Sequence, residues 1–200
     1  MSAKASAMSK NLVVRFAGEG GQGVVGGSEI LAAAAAAVGY HVLTFSTFPS
    51  QIKGGPAWGQ ARISTEEVLS SGDELELSAG GFVVYNSEEF ELDDPRAIGL
   101  PADQMAREAG NPRAANMIVI GAVAELAKFP LPYLEQFVTE RFTRGRPGDA
   151  AIIEGNIKAL HMGAEAAAAR GMSLESLDDA PTLEGERILI KGFEAACLGA

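Results

Sequence analysis

Sulfur and imidazole ligands are scarce in this sequence. It contains a single cysteine, Cys197, and two histidines, His41 and His161. One cysteine cannot build a disulfide framework within the chain, and an iron–sulfur cluster of the cubane type takes four thiolates. Neither histidine has a metal-ligand partner at useful spacing, so we assign no metal site. The low cysteine content predicts a reducing compartment and hence a cytoplasmic protein.

Positive charge and long apolar runs are also scarce. The 16 lysines and arginines are outnumbered by 26 acidic residues, which gives a net charge of −10. This balance argues against a nucleic-acid partner, because phosphates require a basic face. The alanine-rich run 32–37 belongs to a helix much shorter than the roughly 20 apolar residues of a membrane span. Residues 1–10 lack the apolar centre of a signal peptide and are predicted to be a disordered tail.

Glycine is plentiful, and Gly-Glu-Gly-Gly-Gln-Gly occupies positions 18–23. This hexamer lies between a predicted strand, 12–17, and a predicted helix, 22–38, which Gly39 closes. Glycines allow a sharp turn and close approach to a ligand, and the following helix offers unpaired N–H groups to an anion. The spacing also matches the dinucleotide fingerprint G-x-G-x-x-G. A turn that only packs the helix on the sheet would have the same spacing, so the hexamer alone leaves both interpretations open.

The second predicted strand argues against ordinary NAD binding. That strand, 41–46, is followed by Thr47, Phe48 and Pro49. A dinucleotide fold needs an acidic side chain there to bind a ribose, and none is available. The glycine loop is therefore expected to contact a phosphate of another ligand or a partner chain.

The remaining pattern predicts an α/β fold. Strands are expected at 57–64 and 82–85, and the second half is expected to be helical. Asn111 and Pro112 are typical of a helix start, as are Pro132 and Asp149. Together these features predict a three-layer Rossmann-like domain with a mainly parallel sheet and helices on both faces, followed by C-terminal helices. The predicted helices after the sheet are 113–127, 133–144 and 149–170.

Three blocks resemble the gamma subunit, or gamma domain, of the 2-oxoacid:ferredoxin oxidoreductase family. The first is residues 18–24, the second is Pro-Ser-Gln-Ile-Lys-Gly-Gly-Pro-Ala at 49–57, and the third is Gly-Asn-Pro-Arg-Ala-Ala-Asn-Met at 110–117. They recur in the family's order, and the resemblance extends over most of residues 11–165. Residues 188–200 are similar to the start of the thiamine-binding alpha domain, which follows the gamma domain in fused alpha subunits. The second block looks closest to the fused 2-oxoglutarate type.

The resemblance implies a division of the chain into four parts. Residues 1–10 would be a tail, 11–171 the gamma domain, 172–186 an acidic linker, and 187–200 the start of an incomplete alpha-type domain. One departure lies inside the gamma domain. The family normally places a strand and a helix between its Ser-Gly-Asp region and the glycine turn that follows, whereas here Ser71 and Gly81 bracket a short connection.

The resemblance also implies the chemistry of the complex. Such enzymes oxidatively decarboxylate a 2-oxoacid of the 2-oxoglutarate or pyruvate class, form an acyl-CoA and pass electrons to ferredoxin. Thiamine diphosphate and iron–sulfur clusters would belong to partner chains, the thiamine-binding alpha and beta subunits, in a hetero-oligomer. This chain would be a non-catalytic subunit that binds no cofactor alone and contributes to the coenzyme A side of the site. The residues expected to contribute there are Gly18, Gly20, Gly21, Gln22, Gly23, Lys53, Gly54 and Gly55.

Two other functions fit the same residues. One is a stand-alone nucleotide- or anion-binding module. The other is a purely structural assembly subunit whose glycine loop is buried at an interface. Neither alternative requires nucleic acid or a membrane.

Overall fold

The structure, a computed structural model, describes residues 11–48, 55–70, 81–174, 190 and 197. The predicted tail, Lys53, Gly54 and nearly all of the predicted linker and alpha-type start lie outside these residues. The described elements follow in chain order, with these bounds: β1 Asn11–Glu19, α1 Val24–Val38, β2 His41–Thr47, β3 Pro56–Ser64, β4 Val83–Asn86, β5 Ala97–Leu100, α2 Ala102–Glu108, α3 Ala115–Leu126, α4 Leu131–Phe142 and α5 Asp149–Ala168.

Strand β3 lies between β1 and β2 and runs antiparallel to both. Strands β4 and β5 form a separate parallel pair. The α/β class and the C-terminal helices are confirmed, but the expectation of a mainly parallel sheet is corrected by this topology. The reason is chain length: a parallel return needs a crossover of about a dozen residues or more. The connection from Thr47 to Pro56 is shorter than that and contains no described helix, so β3 returns antiparallel.

The sheet and α1 approach each other through small residues. A Cβ on Gly59 of β3 would lie 2.9 Å from the Cα of Val25, and a Cβ on Gly27 would lie 3.4 Å from the ring of Phe16. Ala32, Ala34 and Ala35 of α1 are fully buried. Glycine and alanine therefore allow the helix backbone to rest on the strands, which fixes the start of α1 beside the end of β1.

Helices α3 and α5 cross at two glycines. A Cβ on Gly121 would collide with the carbonyl of Leu160, and a Cβ on Gly163 would collide with the carbonyl of Ile118. The side chains of Ile118 and Leu160 are fully buried at this crossing. The reciprocal arrangement holds α3 in place and thereby positions its first turn next to the glycine loop.

The sequence analysis missed β5 and α2. Strand β5 is short and contains Gly99, which is usually a strand breaker. Packing explains the glycine at this position, because a Cβ added there would lie 2.8 Å from the Tyr85 ring of β4. Helix α2 has two buried alanines and only seven residues, too few for a clear helical period.

The body of the domain extends slightly past the predicted boundary at residue 171. The N–H of Leu174 donates to the carbonyl of Leu126 at 2.8 Å, and Met172 and Leu174 pack against the core. The first residues of the predicted linker therefore belong to the folded body. The position of the remaining boundaries stays a prediction.

Candidate functional site

Strand β1 ends in a glycine loop that leads directly into α1. Gly21 and Gly23 have φ angles of 105° and 79°. This left-handed backbone is costly for residues with a Cβ, which explains glycine at both positions. Gly23 is also the N-cap of α1 and has no side chain to cap the helix. The N–H groups of the first turn of α1 consequently lack a side-chain cap.

Gln22 holds the loop in this shape. Its Oε1 accepts the backbone N–H of Glu19 at 2.8 Å, and its Nε2 donates to Oε1 of Glu89 at 3.3 Å. A Cβ on Gly18 would collide with the same Oε1, so Gly18 makes room for the glutamine side chain. The Gln22 amide, which the family resemblance implies is part of a ligand site, bonds within the protein at both of its ends in this structure.

The second sequence block meets the first at Gly55. The N–H of Gly20 donates to the carbonyl of Gly55 at 3.1 Å, just before β3 begins. Gly55 has a φ of 83°. The first glycine loop and Gly55 of the second block therefore lie side by side, where β1 ends and β3 begins. Lys53 and Gly54, the other residues predicted for this site, lie outside the described residues.

The third block meets the first at Asn116. A Cβ on Gly23 would lie 2.6 Å from Nδ2 of Asn116, in the first turn of α3. Asn116 interrupts an apolar helix face, and the sequence analysis did not assign it to the site. Its membership of the third block was the signal that could have found it. The start of α1 therefore lies beside the first turn of α3.

Asn111 and Pro112 precede α3 rather than starting it, which corrects the predicted helix start. Oδ1 of Asn111 accepts the N–H of Arg113 at 3.1 Å, and its Nδ2 donates to Oδ1 of the buried Asn156 at 2.9 Å. These two bonds form a turn that is anchored to α5. Nδ2 of Asn156 is buried and has no hydrogen-bond partner in the described part of the chain.

Acidic side chains flank the site on the side of β4. Glu88 accepts the N–H of Gln104 at 2.7 Å and pairs with Arg107 at 3.0 Å. The N–H of Gln104 and then the Arg107 side chain lower the pKa of Glu88. Glu88 therefore links the end of β4 to α2. It also positions the neighbouring Glu89, whose carboxylate accepts the hydrogen bond from the Gln22 side chain. The exposed Arg113 lines one cavity together with Gln22 and Glu89.

The position of β2 in the sheet distinguishes this site from a dinucleotide-binding site. In this chain β3 lies between β1 and β2 in the sheet. The end of β2 is therefore one strand away from the glycine loop, and it carries no acidic residue. A nucleotide that started at the glycine loop would meet the start of β3 rather than a ribose-binding carboxylate.

The described residues contain no group of three or more histidine, cysteine or acidic side chains arranged to hold a metal ion. Among the described helices, none combines the length and apolar character needed to cross a membrane. The chemistry that the site offers is hydrogen bonding from backbone and amide N–H groups at two helix starts.

Comparison with known proteins adds a family to this geometry. The profile of the pyruvate ferredoxin/flavodoxin oxidoreductase family matches residues 13–77 and 71–166. The two matched segments overlap at the short connection between β3 and β4. Most of the described fold lies within the match, and so do the sequences of all three blocks.

Individual relatives agree with the family match. The chain is 31% identical to ketoisovalerate oxidoreductase subunit VorA of Methanothermobacter thermautotrophicus over 76% of its own length and 35% of that protein. It superimposes with a TM-score of 0.75 on a 2-oxoglutarate:ferredoxin oxidoreductase of Magnetococcus marinus, at 28% identity over 86% of this chain and 34% of that one. That structure contains 2-oxoglutarate, coenzyme A and succinyl-CoA.

A shorter protein shares the fold along nearly its whole length. It is the gamma subunit of a keto/oxoacid ferredoxin oxidoreductase from Geobacter sulfurreducens, with a TM-score of 0.67 and 24% identity over 80% of this chain and 98% of that one. This chain thus spans about a third of VorA and of the Magnetococcus chain, whereas the match covers 98% of the Geobacter chain.

Proposed function

Since this chain belongs to the pyruvate ferredoxin/flavodoxin oxidoreductase family, we propose that it serves as the gamma subunit or gamma domain of a 2-oxoacid:ferredoxin oxidoreductase. In that role it supports the thiamine-dependent oxidative decarboxylation of a 2-oxoacid to an acyl-CoA. The substrate belongs to the 2-oxoglutarate or pyruvate class, and ferredoxin accepts the electrons. The protein functions in the cytoplasm.

One observation carries the proposal: the three sequence blocks converge on one surface. Gly20 bonds to Gly55, and Gly23 touches Asn116, although these residues are far apart in the chain. Residues from each of the three sequence blocks thus form one contact surface, which we call the three-loop surface and define as Gly18–Gly23, Gly55 and Asn116. The first turn of α1 at this surface has no side-chain cap, and its N–H groups suit a phosphate of coenzyme A or the carbonyl groups of a partner chain.

The metal-ligating residues of this chain determine which cofactors we assign to it and which to its partner chains. A single cysteine does not fit a cubane cluster, so the iron–sulfur clusters belong to partner chains. Thiamine diphosphate supplies the carbanion chemistry when it is bound to those chains. We therefore propose that this chain is non-catalytic. It binds the thiamine-binding alpha and beta subunits and contributes the three-loop surface to the coenzyme A side of the site.

The residues of the three-loop surface have different parts in this proposal. Gly20, Gly21, Gly23 and Gly55 bring backbone groups close to the ligand or partner. Lys53 and Gly54, which precede Gly55 in the sequence, are proposed to add a positive charge. Gln22 acts by holding the loop, because both ends of its amide bond within the protein. Gly18 acts by leaving space for that glutamine.

Purification of the chain from its natural source tests the proposal. We expect thiamine-binding chains to co-elute, and the complex to reduce a viologen with a 2-oxoacid, coenzyme A and thiamine diphosphate. The chain alone should remain at background in the same assay. A monomer without co-eluting chains would instead favour a stand-alone nucleotide- or anion-binding module, and turnover by the isolated chain would contradict the non-catalytic role.

A further inference from the structure

The side chain of Arg113 is exposed and makes no hydrogen bond or ion pair with any residue that the structure describes. Most of the other described arginines have a partner of this kind, namely Arg15, Arg62, Arg96, Arg107, Arg141 and Arg170. The chain has a net charge of −10, so acidic groups are plentiful. An unpaired guanidinium on a protein surface is often only solvated, so its surroundings decide whether it has a binding role.

The backbone of Arg113 is fixed although its side chain is unpaired. Its N–H donates to Oδ1 of Asn111 at 3.1 Å, and Nδ2 of Asn111 donates to Oδ1 of the buried Asn156 at 2.9 Å. A Cβ on Gly155 would lie 2.8 Å from the Cβ of Asn111, so this glycine leaves room for the asparagine. The turn that carries the arginine is therefore anchored to α5. Such preorganisation reduces the entropy that is lost when a ligand binds.

Arg113 lines a cavity of about 1190 Å³ between β1, β4 and α3. Asn116, in the first turn of α3, lines the same cavity, and its half-buried side-chain amide makes no hydrogen bond within the described residues. Its Nδ2 lies beside Gly23, because a Cβ on that glycine would approach it to 2.6 Å. Arg113 and Asn116 therefore bring N–H donors without acceptors to one cavity. A phosphate group has negative charge and several acceptor oxygens, which suit these donors.

The other charged side chains of the cavity indicate where an anion would lie. Glu89 accepts a hydrogen bond from Gln22 at 3.3 Å, and Oδ2 of Asp103 accepts one from Nδ2 of Asn86 at 2.9 Å. These two acids belong to the side of β4 and α2, where they repel an anion. Arg15 also lines the cavity, but its guanidinium lies over an aromatic ring of β3. The start of α3 is therefore the wall that favours a negative ligand.

We propose that Arg113 and Asn116 bind a phosphate group at the start of α3. The guanidinium supplies a positive charge and paired N–H donors, and the Asn116 amide supplies a further N–H. Binding of phosphate by the chain itself does not depend on which complex the chain joins. The source of the phosphate rests on the proposed function: it is a phosphate of coenzyme A, either in the diphosphate or on the ribose. Arg113 thereby adds a positive charge beside the three-loop surface.

Titration of the full 200-residue chain with inorganic pyrophosphate tests the site without the complex. The side-chain N–H signals of Arg113 and Asn116, followed by NMR, should shift saturably. Arg113→Gln should weaken binding about tenfold or more, because its charge-assisted hydrogen bonds are lost. Arg146→Gln is the matched control, since Arg146 is exposed and does not line the cavity, and it should bind as the wild type does. No saturable binding to the wild type, or equal affinities of the two variants, would overturn the proposal.

Arg113→Lys separates a binding role from a structural one. Lysine keeps the positive charge but lacks the planar fork of paired N–H donors. Its affinity for pyrophosphate should therefore lie between those of the wild type and Arg113→Gln. Because the Arg113 side chain has no partner among the described residues, neither variant should change the unfolding temperature. Equal weakening by lysine and glutamine, or a loss of binding that follows a loss of stability, would contradict the proposal.

The complex reconstituted with the thiamine-binding chains tests the source of the phosphate. Arg113→Gln should raise the coenzyme A concentration needed for half-maximal viologen reduction about tenfold, while Arg146→Gln should not. With 3′-dephospho-coenzyme A as the substrate, a difference between wild type and Arg113→Gln that persists assigns the diphosphate, and one that disappears assigns the ribose phosphate. An unchanged coenzyme A requirement would overturn the assignment to coenzyme A. Failure to assemble would contradict the proposed function, whereas the pyrophosphate titration decides the phosphate site independently.

Discussion

Asn116 and Gly23 are in direct contact: a Cβ on Gly23 would lie 2.6 Å from Nδ2 of Asn116. The pair joins the start of α1 to the start of α3, over 90 residues apart in the chain. Glycine at position 23 is therefore required twice, once by its φ of 79° and once by the asparagine beside it. These two requirements can be separated by mutation.

Gly23→Ala is expected to lower the free energy of unfolding by on the order of 2 kcal/mol. About half of this loss comes from placing a Cβ on a left-handed backbone, and the rest comes from the contact of that Cβ with Asn116. In the double variant Gly23→Ala with Asn116→Ala, the contact part should be recovered and the backbone part should remain. Urea unfolding of the two single variants and the double variant measures this coupling.

Gly171→Ala is the control for the backbone part alone, since Gly171 has a φ of 64° and no neighbour within 4 Å of its Cβ position. It should be destabilised by about 1 kcal/mol. Strictly additive effects of Gly23→Ala and Asn116→Ala would mean that the two residues are not in contact.

Gly163→Ala is expected to destabilise the fold by on the order of 3 kcal/mol, because its Cβ would collide with the backbone carbonyl of Ile118 on α3. Helix backbones cannot move aside without separating α3 from α5. Gly26→Ala is the matched control in α1, where the nearest atom is the mobile guanidinium of Arg141 at 3.2 Å. That variant should be neutral or more stable by up to about 1 kcal/mol. Thermal unfolding of both variants makes the comparison, and equal stability would contradict the close crossing.

Asp149 is expected to give the fold an acid-sensitive contribution to stability. Its Oδ2 accepts the N–H groups of Arg144 and Arg146 at 2.7 and 3.0 Å. The N–H of Arg146 and then that of Arg144 lower the pKa of Asp149. Because the folded pKa is lower than the unfolded pKa, this stabilisation is present above the unfolded value of about 3.9 and is lost as pH falls through the folded pKa.

Unfolding of the wild type and Asp149→Asn across pH checks this assignment. The wild type should exceed the variant in stability at neutral pH, and the difference should shrink towards zero in acid. An NMR titration of the Asp149 carboxyl should show a midpoint below that of an unstructured aspartate. A stability difference that does not change with pH would contradict the role of the ionised carboxylate.

NAD is expected not to bind. Strand β3 lies between β1 and β2, so the second strand of a dinucleotide fold is not beside the glycine loop. A calorimetric titration of the full chain with NAD should give no saturable heat. Saturable binding would show that the loop accepts a ribose without the usual acidic partner.

Local signals allowed much of this fold to be predicted. The apolar run before Gly18, the helical stretch after Gly23 and the closing Gly39 gave β1 and α1 with bounds that differ by about two residues. The antiparallel direction of β3 could also have been derived, because the connection from β2 has no room for a crossover. Strand β5 was missed because Gly99, required by the ring of Tyr85, resembles a breaker in the sequence alone.

The candidate site was predictable only in part. The glycine loop was visible as a motif and Gly55 was named from the second block, but the contact of Gly23 with Asn116 is set by tertiary packing. The family resemblance implies that Gln22 contributes to a ligand site, whereas in the structure its amide bonds to Glu19 and Glu89. Such long-range contacts leave no periodic trace in a single sequence.

Reconstitution with the thiamine-binding chains tests the central claim, that the three-loop surface acts within the complex. The comparison is between Gly21→Val and Gly171→Val, since both positions have positive φ and no neighbour within 4 Å of the added Cβ. Assembly is followed by native mass, and coenzyme A use by viologen reduction. We predict that Gly21→Val weakens assembly or raises the coenzyme A concentration needed for half-maximal rate, while Gly171→Val does neither. A Gly21→Val chain that assembles and uses coenzyme A as the wild type does would contradict the claim.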